Sequence, residues 1–167
     1  MYRLPPLNMA LLTKLTELGT AGCKLAAATV LPKQLQRLHF RSWAGAESMA
    51  PLTRLELKQL QHLSLRVDFE QPQLLLQLAQ LPALTHLALQ YDEQCTGAPA
   101  AATSSAWPLL PQLRELKITH YKPPSPAQWE AILAGAAAAT GLTKLSLDAR
   151  MMSDERQAAY AQLESES

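Results

Sequence analysis

"LPALTHLALQYD", residues 81–92, carries leucine at positions 81, 84, 87 and 89. The spacing is three, three and then two. A step of three follows a turn, whereas a step of two is that of a strand, whose alternate side chains share a face. The stretch therefore predicts a turn running into a short strand. Leu87 and Leu89 would lie on its buried side, and His86, Ala88 and Gln90 on its open side. A strand of this length is not stable alone, so its neighbours must come from elsewhere in the chain.

Copies of the pattern occur at Leu35-Leu38-Phe40, Leu60-Leu63-Leu65, Leu113-Leu116-Ile118 and Leu142-Leu145-Leu147, with a weaker one at Leu15-Leu18-Thr20. Their first residues are separated by 20, 25, 24, 29 and 29 positions. Self-similarity at this period marks a repeat architecture. The six units resemble the leucine-rich repeat, whose core reads LxxLxLxx followed by a polar residue or Cys, and the resemblance covers roughly residues 7–150. It implies an α/β leucine-rich repeat solenoid, with short parallel strands on the concave face and turns and helices on the convex face. The position usually held by Asn or Cys is occupied by Cys23, Trp43, Asp68, Asp92, Tyr121 and Arg150. Only Cys23, Asp68 and Asp92 have the chemistry to satisfy backbone groups in the turn after the strand.

The expected organisation is one domain over residues 1–167. Residues 1–14 form a degenerate repeat or N-terminal cap, 15–150 the repeats, and 151–167 a C-terminal capping helix. In "SDERQAAYAQLESES", Ser153 suits the cap, Asp154 and Glu155 suit the first turn, and Tyr160 and Leu163 share a face. Such polar ends keep the last repeat of a solenoid from exposing its core. At the other end, either the first dozen residues fold over the stack or another protein covers it.

The segments between the strands are unequal. "SPAQWEAILAGAAAATG" predicts a helix with Ser125 as N-cap, Pro126 at the first helical position and Gln128 completing a capping box. Trp129, Ile132, Leu133 and Ala136 would face the core, and Gly141 would end the element. "KLAAATVLP" leaves room for only a turn or a short helix. Residues 71–81 are intermediate. "DEQCTGAPAAATSSAWP", residues 92–108, reads as a surface excursion, either a tolerated insertion or a partner-contacting loop anchored by Trp107.

Composition bounds the function. The formal net charge is +1 and charged residues are 17%, so no global field draws the chain to nucleic acid or membrane. No apolar run approaches the ~20 residues of a membrane-spanning helix, which predicts no membrane insertion. The opening "MYRLPPLNMALL" has no charged segment, apolar segment and cleavage site in succession; we expect an intracellular, non-secreted protein in cytoplasm or an organelle. The two cysteines, Cys23 and Cys95, fall layers apart in a stack, which predicts no disulfide and suits a reducing compartment. Neither a phosphate-cradling glycine loop, HExxH nor GxSxG occurs, and no Cys/His spacing suggests zinc. The expectation is a non-enzyme with no catalytic, cofactor or metal residues.

Outward strand positions fall into three columns. The first holds Glu17, Arg37, His62, His86, Glu115 and Lys144. The second holds Gly19, His39, Ser64, Ala88, Lys117 and Ser146. The third holds Ala21, Arg41, Arg66, Gln90, Thr119 and Asp148. The units at Leu35, Leu60 and Leu84 thus cluster basic and imidazole side chains with no acid among them. The predicted partner-binding residues are Arg37, His39, Arg41, His62, Arg66, His86, Lys117 and Lys144. Arginine pairs bidentately with carboxylate or phosphate, so the expected partner is a protein with an acidic surface. Homo-oligomerisation is left open by the sequence. His62 and His86, in one column, are candidates for a pH-sensitive or metal-binding pair. The alternative reading is an RNA-contacting subunit of a ribonucleoprotein particle, disfavoured because no aromatic residue interleaves the basic ones. A further alternative is a piece of a longer repeat protein. Ubiquitin-ligase substrate receptors of the family carry an extra recruiting segment, and no F-box-like segment precedes the repeats here.

Overall fold

The structure, a computed structural model, describes residues 2–3, 6–20, 23–24, 26, 28–43, 57–67, 78–91, 107–120 and 125–149. Its elements are β1 (Tyr2–Arg3), β2 (Glu17–Thr20), β3 (Cys23–Lys24), β4 (Arg37–Trp43), β5 (His62–Val67), β6 (His86–Tyr91), β7 (Glu115–His120), α1 (Pro126–Ala138) and β8 (Lys144–Ala149). The class is α/β. Six strands form one parallel sheet in the order β2-β4-β5-β6-β7-β8, so each strand lies beside the next strand of that sheet in sequence. Strands β1 and β3 form a separate two-stranded parallel pair that the leucine pattern does not predict.

The units repeat in detail. At the first leucine of each, the backbone N–H turns back to the carbonyl three residues earlier: Leu15 to Leu12, Leu35 to Pro32, Leu60 to Leu57, Leu84 to Leu81, Leu113 to Leu110 and Leu142 to Ala139. That is the turn expected from a step of three. The next two N–H groups then donate together to one carbonyl of the preceding unit. Gln36 and Arg37 share Thr16, Gln61 and His62 share Gln36, Thr85 and His86 share Gln61, Arg114 and Glu115 share Thr85, and Thr143 and Lys144 share Arg114. From there the period-two ladder begins. Gln34 and Gln112, each one residue before a repeat leucine, donate their side-chain amides to the preceding unit at Leu12 and Leu81. These bonds tie each unit to the one before it.

The buried face is the leucine ladder. Leu35, Leu38, Phe40, Leu60, Leu63, Leu65, Leu84, Leu87, Leu89, Leu113, Leu116 and Ile118 are all 2% exposed or less. Parallel pairing stacks them directly: Leu38, Leu63, Leu87, Leu116 and Leu145 are successive register partners, as are Phe40, Leu65, Leu89, Ile118 and Leu147. Burial weakens at both ends. Leu18 and Leu145 are only partly buried, and Leu147, on the edge strand β8, is 37% exposed.

Helix α1 closes this side. Ser125 caps it, with the full capping box to Gln128 and Pro126 at its start. Ile132 and Ala136 are buried, and Trp129 packs against the core. Leu133 does not: it is 49% exposed. The inward stripe is narrower than the apolar pattern: its buried residues are Ile132, Gly135 and Ala136. Gly141 also plays a different part from the one expected. The helix ends at Ala138, and Gly141 lies two residues beyond its cap, where an added Cβ would fall 2.2 Å from the Pro111 carbonyl oxygen. Its lack of a side chain serves close packing of two units. Trp107 opens a 3-10 turn, Trp107–Leu109, and is fully buried against the core. It can anchor the preceding segment but presents no surface to a partner.

Leu7, Asn8 and Met9 run beside Val30 through the Asn8–Val30 bridge, and Met9 packs on the core. The capping helix expected at 151–167, the excursion at 92–106 and Cys95 lie outside the described residues. No helix among the described residues is long and apolar enough to cross a membrane.

Candidate functional site

Period two sends every second side chain of β2 and β4–β8 to the face opposite the leucines. Because each strand pairs in register, those side chains form straight rows. The first row is Glu17, Arg37, His62, His86, Glu115 and Lys144, and the second is Gly19, His39, Ser64, Ala88, Lys117 and Ser146, as the sequence pattern predicts. The third row departs from the expectation. An irregularity in β4 between Phe40 and Trp43 places Trp43, not Arg41, opposite Arg66. Bulges add a residue to one strand and shift everything after it, and no leucine follows Phe40 to reveal the shift. The Arg41 and Trp43 side chains lie outside the described ones. Thr119, expected to face outward, is 5% exposed, flanked in register by the longer Gln90 and Asp148.

Two carboxylates bracket the basic cluster. Glu17 pairs with Arg37 at 3.6 Å and lies 3.7 Å from His39 Nε2. Glu115 accepts from Lys144 Nζ at 2.9 Å and lies 3.4 Å from His86 Nε2. The Lys144 hydrogen bond holds the Glu115 carboxyl below its ordinary value, with His86 adding to the effect. Exposed pairs of this kind contribute little to stability, but they neutralise part of the face. Among the described open positions the cations Arg37, Arg66, Lys117 and Lys144 stand against Glu17, Glu115 and Asp148. The face is therefore near neutral when its histidines are uncharged and strongly basic when they are protonated.

The centre of the face is an imidazole pair. His62 and His86, opposite each other on β5 and β6, stack with ring centroids 4.0 Å apart and planes 26° from parallel. Two unit charges at that distance would repel by about 1 kcal/mol in water and about 4 kcal/mol at an effective dielectric near 20. Burial and the neighbouring His86 and Arg37 lower the His62 pKa from its usual 6.5. His86 is held at both nitrogens, Nδ1 2.8 Å from Thr85 Oγ1 and Nε2 facing Glu115. Stacked rings keep their in-plane lone pairs from converging on one point, which is poor geometry for a shared metal ion. Among the described residues no three His, Cys, Asp or Glu side chains come together as metal ligands.

Thr85, His86 and Glu115 form a hydroxyl–imidazole–carboxylate line that sequence spacing does not reveal. Its resemblance to a nucleophile and base is superficial. Thr85 Oγ1 also lies 3.4 Å from the Gln61 carbonyl, and the equivalent Thr143 Oγ1 donates to the Arg114 carbonyl at 3.0 Å with no histidine acceptor. The threonine at this point of the unit ties neighbouring units together. The Thr85 and His86 N–H groups are both spent on Gln61, so they are not free to receive an oxyanion.

Beside the imidazole stack lies a hollow of about 220 Å³, bordered by His39, His62, Ser64, Ala88, Lys117 and Lys144 among others. It exists because Ser64 and Ala88, the smallest adjacent pair in the second row of β4–β8, lie between longer His39 and Lys117. The sequence columns already contain this small-residue gap, but a search for charged and chemically active residues passes over it. The fourth histidine, His120, lies on the other side of the sheet, stacked on Tyr91 at 4.9 Å and edge-on to Trp129 at 5.7 Å. Burial lowers its pKa, and its Nε2 has no hydrogen-bond partner among the described residues.

Compared with protein-family models, curated proteins and solved structures, the chain matches none.

Proposed function

We propose that the chain is a leucine-rich repeat solenoid of about six irregular repeats, folded as one domain, and that it works as a non-catalytic protein–protein interaction module. It serves as an adaptor or as a structural subunit of a larger assembly inside the cell. Its partner presents an acidic segment to the open strand face, which is the concave face of the solenoid. The observation that carries this reading is the in-register array of His39, His62, Arg66, His86 and Lys117 over a rigid leucine ladder, with a hollow at its centre. Recurrence of the same turn and inter-unit hydrogen bonds in successive units supports the solenoid. Recognition requires little conformational change, since the strands that present these side chains are paired in one parallel sheet.

RNA is the weaker candidate. Apart from Trp43, whose backbone takes the place of Arg41 opposite Arg66, no Trp, Tyr or Phe stands among the described open-face positions, and successive stacking platforms are what single strands favour. The test is affinity capture from cell extract with a protein in which Arg37, Arg66 and Lys117 are each changed to Glu, beside a Glu130→Lys control on the exposed surface of α1. Loss of the partner in the first and retention in the second is expected. Retention in both removes the open face as the docking surface. Native size in the same extract separates the two roles: migration in a large particle marks a subunit, and migration near 18.3 kDa marks a free adaptor. Steep loss of binding with salt would transfer the assignment to RNA.

A further inference from the structure

The hollow beside the His62–His86 stack has the wrong size for a drug-like ligand and the right size for one side-chain headgroup. At about 220 Å³ it lies below the usual range of small-molecule pockets, ~300–1,000 Å³, and well above the ~30 Å³ of one water. Its floor is small and uncharged, Ser64 and Ala88. Its borders are donors: His39 and His62, the Lys117 ammonium and, farther along, Lys144. The one carboxylate at its rim, Glu115, is already engaged by Lys144 and His86. Lys117 has no ion-pair partner among the described residues.

Resting on the interaction reading above, we infer that this hollow receives a single carboxylate side chain of the partner and takes up a proton with it, so that docking tightens as pH falls below neutral. The groups that set this dependence come from every neighbouring strand. On β4, Arg37 and His39 face His62; Arg37 opposes its charging and is itself paired with Glu17 of β2. On β6, His86 stacks on the ring. On β7, Glu115 lies beyond His86, and on β8, Lys144 covers Glu115. On β5 itself, Ser64 and Arg66 follow His62. The free site resists a proton on His62 because that ring is partly desolvated and surrounded mainly by like charge. An incoming carboxylate reverses that balance, and by linkage the site that gains a proton on binding binds more tightly in acid. Carboxylate fits better than a phosphate monoester: with Lys117 and one imidazolium the hollow offers a compact pair of donors, with no arginine fork among the residues that border it.

The probe is a fluorophore-labelled tetraglutamate peptide, with tetraglutamine as control, followed by anisotropy from pH 5.5 to 7.5 at constant ionic strength. Glutamate stays ionised across this range, so any pH dependence belongs to the protein. We expect at least tenfold tighter tetraglutamate binding at pH 5.5 than at 7.5. Ala88→Leu, which fills the hollow from its floor, should abolish binding with the circular dichroism spectrum unchanged. Changing His39, His62 and His86 together to Gln should leave weak binding that no longer varies with pH. Equal affinity at both pH values, or unchanged binding by Ala88→Leu, overturns the inference. So does displacement of the peptide by inorganic phosphate at concentrations where acetate has no effect, which would make the site a phosphate receptor. Loss of partner capture by the Glu triple variant, together with a pH-independent peptide, would leave the docking face standing and remove only this use of the hollow.

Discussion

Leu87→Ala tests the leucine ladder at its centre. Leu87 is 2% exposed and lies in register between Leu63 and Leu116, themselves 2% and 1% exposed. The side chain contributes its full transfer free energy, and the neighbouring strands, pinned on both sides by parallel hydrogen bonds, have little freedom to close the cavity. Buried Leu→Ala changes cost about 2–5 kcal/mol, the larger values where the site cannot collapse, so about 4 kcal/mol is expected here. Leu147 occupies the equivalent ladder position to Leu89 but sits on the edge strand β8 and is 37% exposed. Leu147→Ala loses roughly two-thirds of the transfer term and leaves almost no enclosed cavity, about 1.5 kcal/mol in all. Urea unfolding read by tryptophan fluorescence and far-ultraviolet circular dichroism measures both. With a urea slope of about 2 kcal/mol per molar, the Leu87 variant should unfold roughly 1 M earlier than the Leu147 variant. Equal midpoints would refute a core concentrated in the middle units.

Gly141→Ala should destabilise by about 1–3 kcal/mol, since its methyl would meet the Pro111 carbonyl at 2.2 Å and two units must part to admit it; thermal melts check this. Ser125→Ala removes the N-cap of α1 and should cost about 1 kcal/mol, read from the same melts. His120 in the folded chain titrates below its ordinary 6.5 because it is buried. Between the folded and unfolded values the unfolded chain therefore binds the extra proton, and stability is full above about pH 6.5 and declines as pH falls through that window. His120→Phe should flatten this decline, and an unchanged profile by urea midpoint would contradict it. Glu115 also has a depressed folded-state value, so its contribution is present above about pH 4.5 and is lost as pH falls lower; Glu115→Gln should remove that part of the acid limb.

The turn-and-strand units were legible because the period changes from three to two at a fixed place in each, and burial of Leu84, Leu87 and Leu89 follows directly. The first two open-face rows follow from the same alternation. Where apolar residues do not mark the pattern, it misleads. The β4 irregularity leaves no trace after Phe40, so Arg41 is assigned to a row in which Trp43 stands. Leu133 fits the helical stripe, yet the buried line of α1 runs through Ile132, Gly135 and Ala136 and leaves it exposed. Gly141 reads as a helix stop when its purpose is contact with another unit. The basic cluster of three units is legible in the columns, but its ion pairing is not, since Glu17 and Glu115 reach in from the flanking units. The hollow was hidden for a further reason: it is made by the smallness of Ser64 and Ala88, and a missing side chain carries no chemical signature.

The most direct test of the docking face is photo-crosslinking from within it. A photoreactive amino acid at Gln90, on the open face next to Arg66 and outside the lining of the hollow, is compared in living cells with the same residue at Glu130, on the solvent side of α1. We predict a discrete protein adduct from position 90 that disappears when Arg37, Arg66 and Lys117 are reversed, and none from position 130. An adduct from position 130 alone would place the partner on the helical side and contradict the proposed role of the strand face.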